Sequence, residues 1–317
     1  MNIQVEHLDT AGVTHNKTFS MSRLAFAKHL AIAGQGYEPR PQKFLRTIGM
    51  FFHYSYYLQR QAFNSNRFSE PPIALSDPTE KGQFSNLAGK AIADFLSKKI
   101  DGSLFTVNYE AVMRLQGQLL SGSRPDLVAY TPTAMIAIEA KGRTQSNPGN
   151  MSTHKTQAQS GTVRVNYSVA CVSYDLFNQV TCKYHDPFNS NIPYDNVTLR
   201  AATRNYYSDL SKFLDQKYFD FNEIEYQGEK FYSIGLSLRN YEKLFPNEFP
   251  FLPRFWFFEI FEHYRPRLIL PSNIYELAQT GISNETKPFI TETNVDSNNI
   301  TNTYIDTDRV GLQLRGE

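Results

Sequence analysis

The spacing of apolar residues changes along the chain, and each change predicts an element. Residues 21–34, MSRLAFAKHLAIAG, place apolar side chains at helical spacing and end on Gly34, which predicts a helix. Residues 42–62 read as a second helix, rich in aromatics with Lys43, Arg46 and Arg60 interleaved, before a loop with Pro71 and Pro72. Together they predict a helical N-terminal arm over residues 1–76. Asp77-Pro78-Thr79-Glu80 is a helix start, with a cap, a proline in the first turn and an acid at the third position. Phe84, Leu87, Ala88, Ala91, Ile92 and Phe95 continue it as one stripe to about Lys99. After Asp101-Gly102 the period falls to two. Leu104–Glu110, Pro125–Tyr130 and Ala134–Lys141 read as strands, the last two joined through Thr131-Pro132, whereas the residues up to Leu120 fit neither period. A short helix over Thr153–Ser160, closed by Gly161, and a strand over Val165–Tyr174 complete the order α-β-β-β-α-β.

Residues 77–190 are therefore expected to form a core. Phe177–Lys183 reads as an added strand, residues 196–218 as a long helix and Phe231–Leu238 as a strand. FPFLPRFWFFEIFEHY is an aromatic core segment that either element type accommodates. Residues 191–280 are read as a helical and aromatic extension completing the core. Residues 281–317, rich in Asn and Thr, read as a polar tail that is either disordered or a short edge strand.

Composition narrows the class. With 317 residues, 41% hydrophobic and 20% charged, the chain can bury a full core. No stretch approaches the roughly 20 apolar residues that span a bilayer. The first residues, MNIQVEHLDTAG, lack a basic-then-apolar leader pattern, so the chain is expected in the cytoplasm and away from membranes. Cys171 and Cys182 are expected as small buried apolar residues, with a disulfide or metal role as the alternative. The net charge of +1 does not by itself indicate a nucleic-acid binder. Residues 277–317 carry six acids against three bases, however, which leaves the remainder mildly basic.

The chemistry concentrates in SRPDLVAYTPTAMIAIEAKGR, residues 123–143. If the turn centres on Pro132-Thr133, Tyr130 pairs with Met135, Val128 with Ala137 and Asp126 with Glu139. Asp126, Glu139 and Lys141 then share one face, while Leu127, Ala129, Ile136, Ile138 and Ala140 make the other wholly apolar. Two facing carboxylates repel and need a compensating cation. Lys141 supplies part of it. A hard divalent ion, magnesium or manganese, fits oxygen ligands better than zinc, for which no Cys/His cluster exists. An ordinary salt-bridged strand pair is the plainer alternative.

Pro125-Asp126, a twelve-residue gap and Glu139-Ala140-Lys141, placed on strands within α-β-β-β-α-β, resemble the signature of the PD-(D/E)XK nuclease superfamily. The resemblance covers roughly residues 77–175. It implies an α/β restriction-endonuclease-like core, a mixed sheet flanked by helices, with a helical N-terminal arm and α+β C-terminal additions. It implies that Asp126, Glu139 and the Ala140 carbonyl hold Mg2+ (or Mn2+), and that Lys141 orients the attacking water and offsets transition-state charge. Many members carry an acid on the first helix; Glu80 is the match here, with a capping role as the alternative. Some branches have a glutamine on the later helix followed four residues on by tyrosine. Gln157 matches the first, but Gly161 stands at the second place, so Gln157 is either an active-site hydrogen bonder or a solvated polar residue. Glu110 is a weaker acidic candidate. Arg124, Arg143, Lys155 and Lys90 are candidate phosphate contacts, each alternatively a solvated charge, and His154 is either a phosphate contact or structural. The segment RPQKFLRTIGMFFHYSYYLQR is expected to pack inward rather than face DNA. The implied function is a metal-dependent deoxyribonuclease, an endonuclease of restriction or phage-defence type, acting on DNA with RNA as the alternative substrate. A homodimer or a separate ATPase or helicase partner is compatible, since the chain has no Walker-type phosphate loop. The other class of function is a nuclease-fold module that binds nucleic acid or assembles without cleaving.

Overall fold

The computed structural model describes residues 1–33, 53–72, 77–189, 196–215, 219–237, 265–282 and 303–314, together with Lys217, Asn240 and Lys243. These divide at Leu199 into two units. The aromatic segment 249–264, the residues 283–302 of the polar tail and most of the expected helix over 42–62 lie outside the described residues.

The first unit is a mixed seven-stranded sheet flanked by helices. In chain order it contains β1 (Asn2–Leu8), β2 (Thr14–Ser20), α1 (Arg23–Ile32), the short α2 (Arg60–Asn64), α3 (Pro78–Ile100), β3 (Phe105–Asn108), α4 (Tyr109–Leu115), β4 (Leu127–Tyr130), β5 (Met135–Gly142), α5 (Met151–Gln159), β6 (Tyr167–Tyr174) and β7 (Thr181–Asn189). The sheet order is β2-β1-β7-β6-β5-β4-β3. β3, β4 and β5 are successively antiparallel, β5 and β6 parallel, and β6 and β7 antiparallel.

The expected α-β-β-β-α-β order is present, with α4 inserted after the first strand. α3 starts as its sequence dictates: the Asp77 side chain accepts from the Thr79 amide, and Pro78 occupies the first turn. Phe84, Ala88, Ala91, Ile92 and Phe95 of its stripe are buried, and Leu87 lies at the border. The segment after β3 turns helical because the Asn108 side chain caps Ala111 N at 3.3 Å. α1 packs on α3, and His29 Nδ1 and Asp94 Oδ2 meet there at 2.6 Å, both buried. Burial disfavours the charged Asp94, but Lys98 and His29 outweigh it and hold this carboxyl down at about 2.

The N-terminal residues correct the expectation of a helical arm. Residues 2–20 are a hairpin, and β1 lies parallel to β7, extending the sheet. Its pattern was present in the sequence: Ile3, Val5 and His7 are buried while Asn2 and Gln4 are exposed, a period of two. β1 could not be placed from sequence because its partner lies about 180 residues away.

The β4–β5 register matches the expectation, with Tyr130 opposite Met135 and Val128 opposite Ala137. Thr131 builds the turn. Its amide donates to Ala134 O at 2.8 Å, and its hydroxyl accepts from the Thr133 and Ala134 amides at 3.1 and 2.7 Å. α3 lies directly on β5 because two glycines meet there. A Cβ on Gly142 would stand 1.8 Å from the Ser85 carbonyl oxygen, and one on Gly89 would stand 2.4 Å from Gly142 N.

The second unit corrects the view that residues 191–280 complete the first core. It has its own antiparallel five-stranded sheet, with the order β11-β12-β10-β9-β8. Its strands are β8 (Phe219–Tyr226), β9 (Glu229–Leu236), β10 (Arg267–Pro271), β11 (Thr303–Ile305) and β12 (Gly311–Gln313). Its helices are α6 (Asn196–Ser211), from Arg200 onward, and α7 (Ile274–Thr280). Phe231, Ile269 and Ile305 form its core. β8 and β9 are joined through Gln227 and Gly228, both at positive φ, the two-residue turn that fits strand twist. β11 is the edge strand named as one alternative for the tail, and 283–302 are not described.

Gly142→Ala should destabilise the first unit by about 1–3 kcal/mol, since backbone faces the new methyl. Thermal unfolding should show a clear fall in Tm, and an unchanged Tm would refute the packing described at Ser85. Asp94 contributes stability that is present above its unfolded pKa and lost as pH falls from about 4 towards 2. Asp94→Asn should flatten that part of a stability–pH curve.

Candidate active site

The β4–β5 hairpin brings Asp126, Glu139 and Lys141 together. Asp126 sits one residue before β4 and is held from three sides. Its amide donates to Ile138 O at 3.0 Å, its carbonyl accepts from Tyr109 N at 3.0 Å, and its Oδ2 accepts from Ala140 N at 3.2 Å. Lys141 Nζ lies 2.5 Å from Glu139 Oε1 and 3.7 Å from Asp126 Oδ2. Glu139 has no exposed surface, and neither carboxylate oxygen has a hydrogen bond of good geometry among the described residues. Contact with Lys141 is thus an ion pair off the hydrogen-bond direction.

Burial raises the Glu139 carboxyl to about 7; the charge of Asp126 adds to this, and Lys141 opposes it. Burial lowers the affinity of Lys141 for its proton, but Glu139 and Asp126 outweigh that and leave its pKa raised. Lysine is therefore the cation of this pair, not a free base.

A second lysine joins the site. Lys90 Nζ, on α3, is 2.9 Å from Asp126 Oδ1. By sequence Lys90 is a candidate phosphate contact or a solvated charge; the structure places it on the carboxylate. Glu80 is not brought to the pair. It accepts from Tyr57 Oη at 3.1 Å, and ten helical residues, about 15 Å of axis, separate it from Lys90.

Gln157 donates through Nε2 to Arg124 O at 3.3 Å, tying α5 to the segment that carries Asp126. The Arg124 guanidinium is engaged within the protein, by Glu110 through Nε and Nη2 and by Gly122 O through Nη1. Glu110 is thus its partner. α5 packs against β5 and β6. There burial first, then the charges of Lys141 and Arg143, lower the His154 pKa, which places His154 near both cations. The charge of Lys155 is felt at His185 of β7. Arg143 follows β5, and its Nε is buried without a hydrogen-bond partner among the described residues.

No group of three or more His, Cys, Asp or Glu suited to a metal occurs among the described residues. Two hard carboxylates remain, and both buried oxygens of Glu139 lack a hydrogen bond among the described residues. Strand geometry points the Ala140 carbonyl to the same side as its amide, towards Asp126 past the start of β4. That donor set fits magnesium, which keeps several waters and binds through one or two carboxylates plus substrate phosphates.

Sequence reading missed a second polar group on the opposite face. Tyr184 and Tyr167 donate to Asp101, and His7 Nε2 lies 3.2 Å from Asp186 Oδ2. Burial chiefly raises both carboxyls to about 7. Its members come from β1, α3's end, β6 and β7, and no sequence spacing links them. Cys171 and Cys182 are free, buried thiols 3.6 Å apart, as small apolar residues would be.

No family model, curated protein or solved structure matches this chain.

The raised Glu139 carboxyl fixes a sign. Its folded pKa exceeds the unfolded one, so the stability it contributes is fully present at low pH and is lost as pH rises from about 4.5 through about 7. Glu139→Gln should raise Tm by a few degrees at pH 8 and change it little at pH 5. Equal Tm shifts at both pH values would show that Glu139 is not a destabilising buried charge.

Proposed function

We propose that the chain is a metal-dependent phosphodiesterase of the PD-(D/E)XK kind that cleaves DNA, with a restriction-endonuclease-like core in its first unit. One observation carries the reading: Lys141 Nζ stands against Glu139 and Asp126 together, at 2.5 and 3.7 Å. The strand order β3-β4-β5-β6 with helices α3 and α5 supports it. So does the position of the acids, since Asp126 immediately precedes β4 and Glu139 and Lys141 lie in the last half of β5.

In this reading Asp126, Glu139 and the Ala140 carbonyl hold magnesium. When bound, the ion withdraws charge from the scissile phosphate and acidifies a water molecule. Lys141, kept protonated by the two acids, orients that water and faces the charge that grows on the phosphate oxygens. Glu139 must be ionised to act as a ligand, and Lys141 favours that form. Gln157 and Tyr109 are positioning residues: they hold the backbone at Arg124 and Asp126. Lys90 caps Asp126 in the free protein and turns to a phosphate when DNA enters.

A second reading has its own support. Lys90 and Lys141 already neutralise both carboxylates, as a non-cleaving nucleic-acid-binding module would allow.

Circular and linear DNA, single- and double-stranded, incubated with Mg2+ or Mn2+ separates the two. Cleavage should require the metal and fall at least ~100-fold in Asp126→Ala and Lys141→Ala with Tm retained. DNA binding that ignores EDTA, with no cleavage under any metal, would establish the module instead.

A further inference from the structure

The wall of a cavity begins at Gly142, the residue after Lys141, and encloses about 420 Å3 between the start of α3 and the loop after β5. That volume accommodates one small ligand but not a duplex. Its lining is chemically mixed. Phe177 forms part of one wall and is backed by Tyr57 and Phe84, with ring centroids 6.1 and 6.5 Å away. It is half-buried, so part of its side chain stays accessible. Around it stand Asn86, Thr144 and Gln145, whose side chains form no hydrogen bond with the described residues. Arg143 joins them with its buried Nε unbonded. At the rim Lys81 is already paired with Glu70 at 2.9 Å.

An aromatic wall, two free carboxamides and a guanidinium are the groups that recognise a nucleotide. Aromatic faces stack on bases. Carboxamides read the N6/N7 edge of adenine with two hydrogen bonds. Arg grips phosphate. We infer that this cavity takes one unstacked nucleotide of a DNA strand, adenine fitting best, beside the scissile phosphate. The inference rests on the nuclease reading above and deepens it. A base inside a duplex cannot present its face to Phe177, so the bound strand is single-stranded or locally opened there.

The test uses the full chain carrying Lys141→Ala, with magnesium, so that the strand stays intact. The probe is a short single-stranded oligo-dT holding one 2-aminopurine, with its duplex as comparison. Binding should quench 2-aminopurine emission, and the single strand should bind more tightly than the duplex. Phe177→Ala should remove the quench and weaken binding about ten-fold. Since Phe177 also backs Tyr57 and Phe84, the exposed Asn86→Leu, paired with Gln145→Leu, provides the check that leaves the fold intact. It should abolish the preference for oligo-dA over oligo-dC at unchanged Tm. Unaltered quench, affinity and base preference in these variants, with cleavage by the native chain intact, would overturn the cavity assignment alone. A native chain that neither cleaves nor binds DNA would overturn the nuclease reading, and the cavity assignment with it.

Discussion

The side chain of Glu139 has no solvent-exposed surface, and the surrounding structure compensates for that. Its carboxylate lies against one lysine at 2.5 Å, close to a second acid, with both oxygens lacking a hydrogen bond among the described residues. A carboxylate so placed destabilises a fold unless it is protonated or paired. A protein built only for stability would fill this position with an apolar side chain, as it does at Ile136 and Ile138 on the same strand. Retaining an acid there costs stability that an apolar side chain would not.

Two backbone devices hold that arrangement. The Thr131 turn sets the hairpin register, and the register decides that Asp126 faces Ala140 and Glu139 rather than the opposite side of the sheet. Gly89 and Gly142 let α3 lie directly on β5, which brings Lys90 within 2.9 Å of Asp126. The same approach opens the cavity at the end of β5, with Ser85 and Asn86 on one side and the loop after Gly142 on the other. The hairpin register thus gathers the acids with Lys141, and the strand–helix contact adds Lys90 and the cavity.

The two units divide labour differently from a core with appendages. The first carries the acids, the lysines and the cavity within a mixed sheet. The second has its own antiparallel sheet and its own core. Among the described residues no helix is long and apolar enough to cross a membrane.

The sequence by itself determined whatever depends on neighbours in the chain. α3 was legible from Asp77, Pro78 and its stripe, and the β4–β5 register from alternation across a short turn, because capping and pleat act over a few residues. Asp126, Glu139 and Lys141 were legible for the same reason, since all three lie within one hairpin. The β8–β9 hairpin carries a local signal too, Gln227-Gly228 between alternating residues. Only the tertiary structure decided the rest. It joined β1 to β7, gave Lys90 rather than Glu80 to Asp126, set Arg124 on Glu110 and gathered Asp101 with Tyr184. Those partners are separated by 14 to 177 residues, and helix wheels and strand periods fix the direction of a side chain without fixing what it meets.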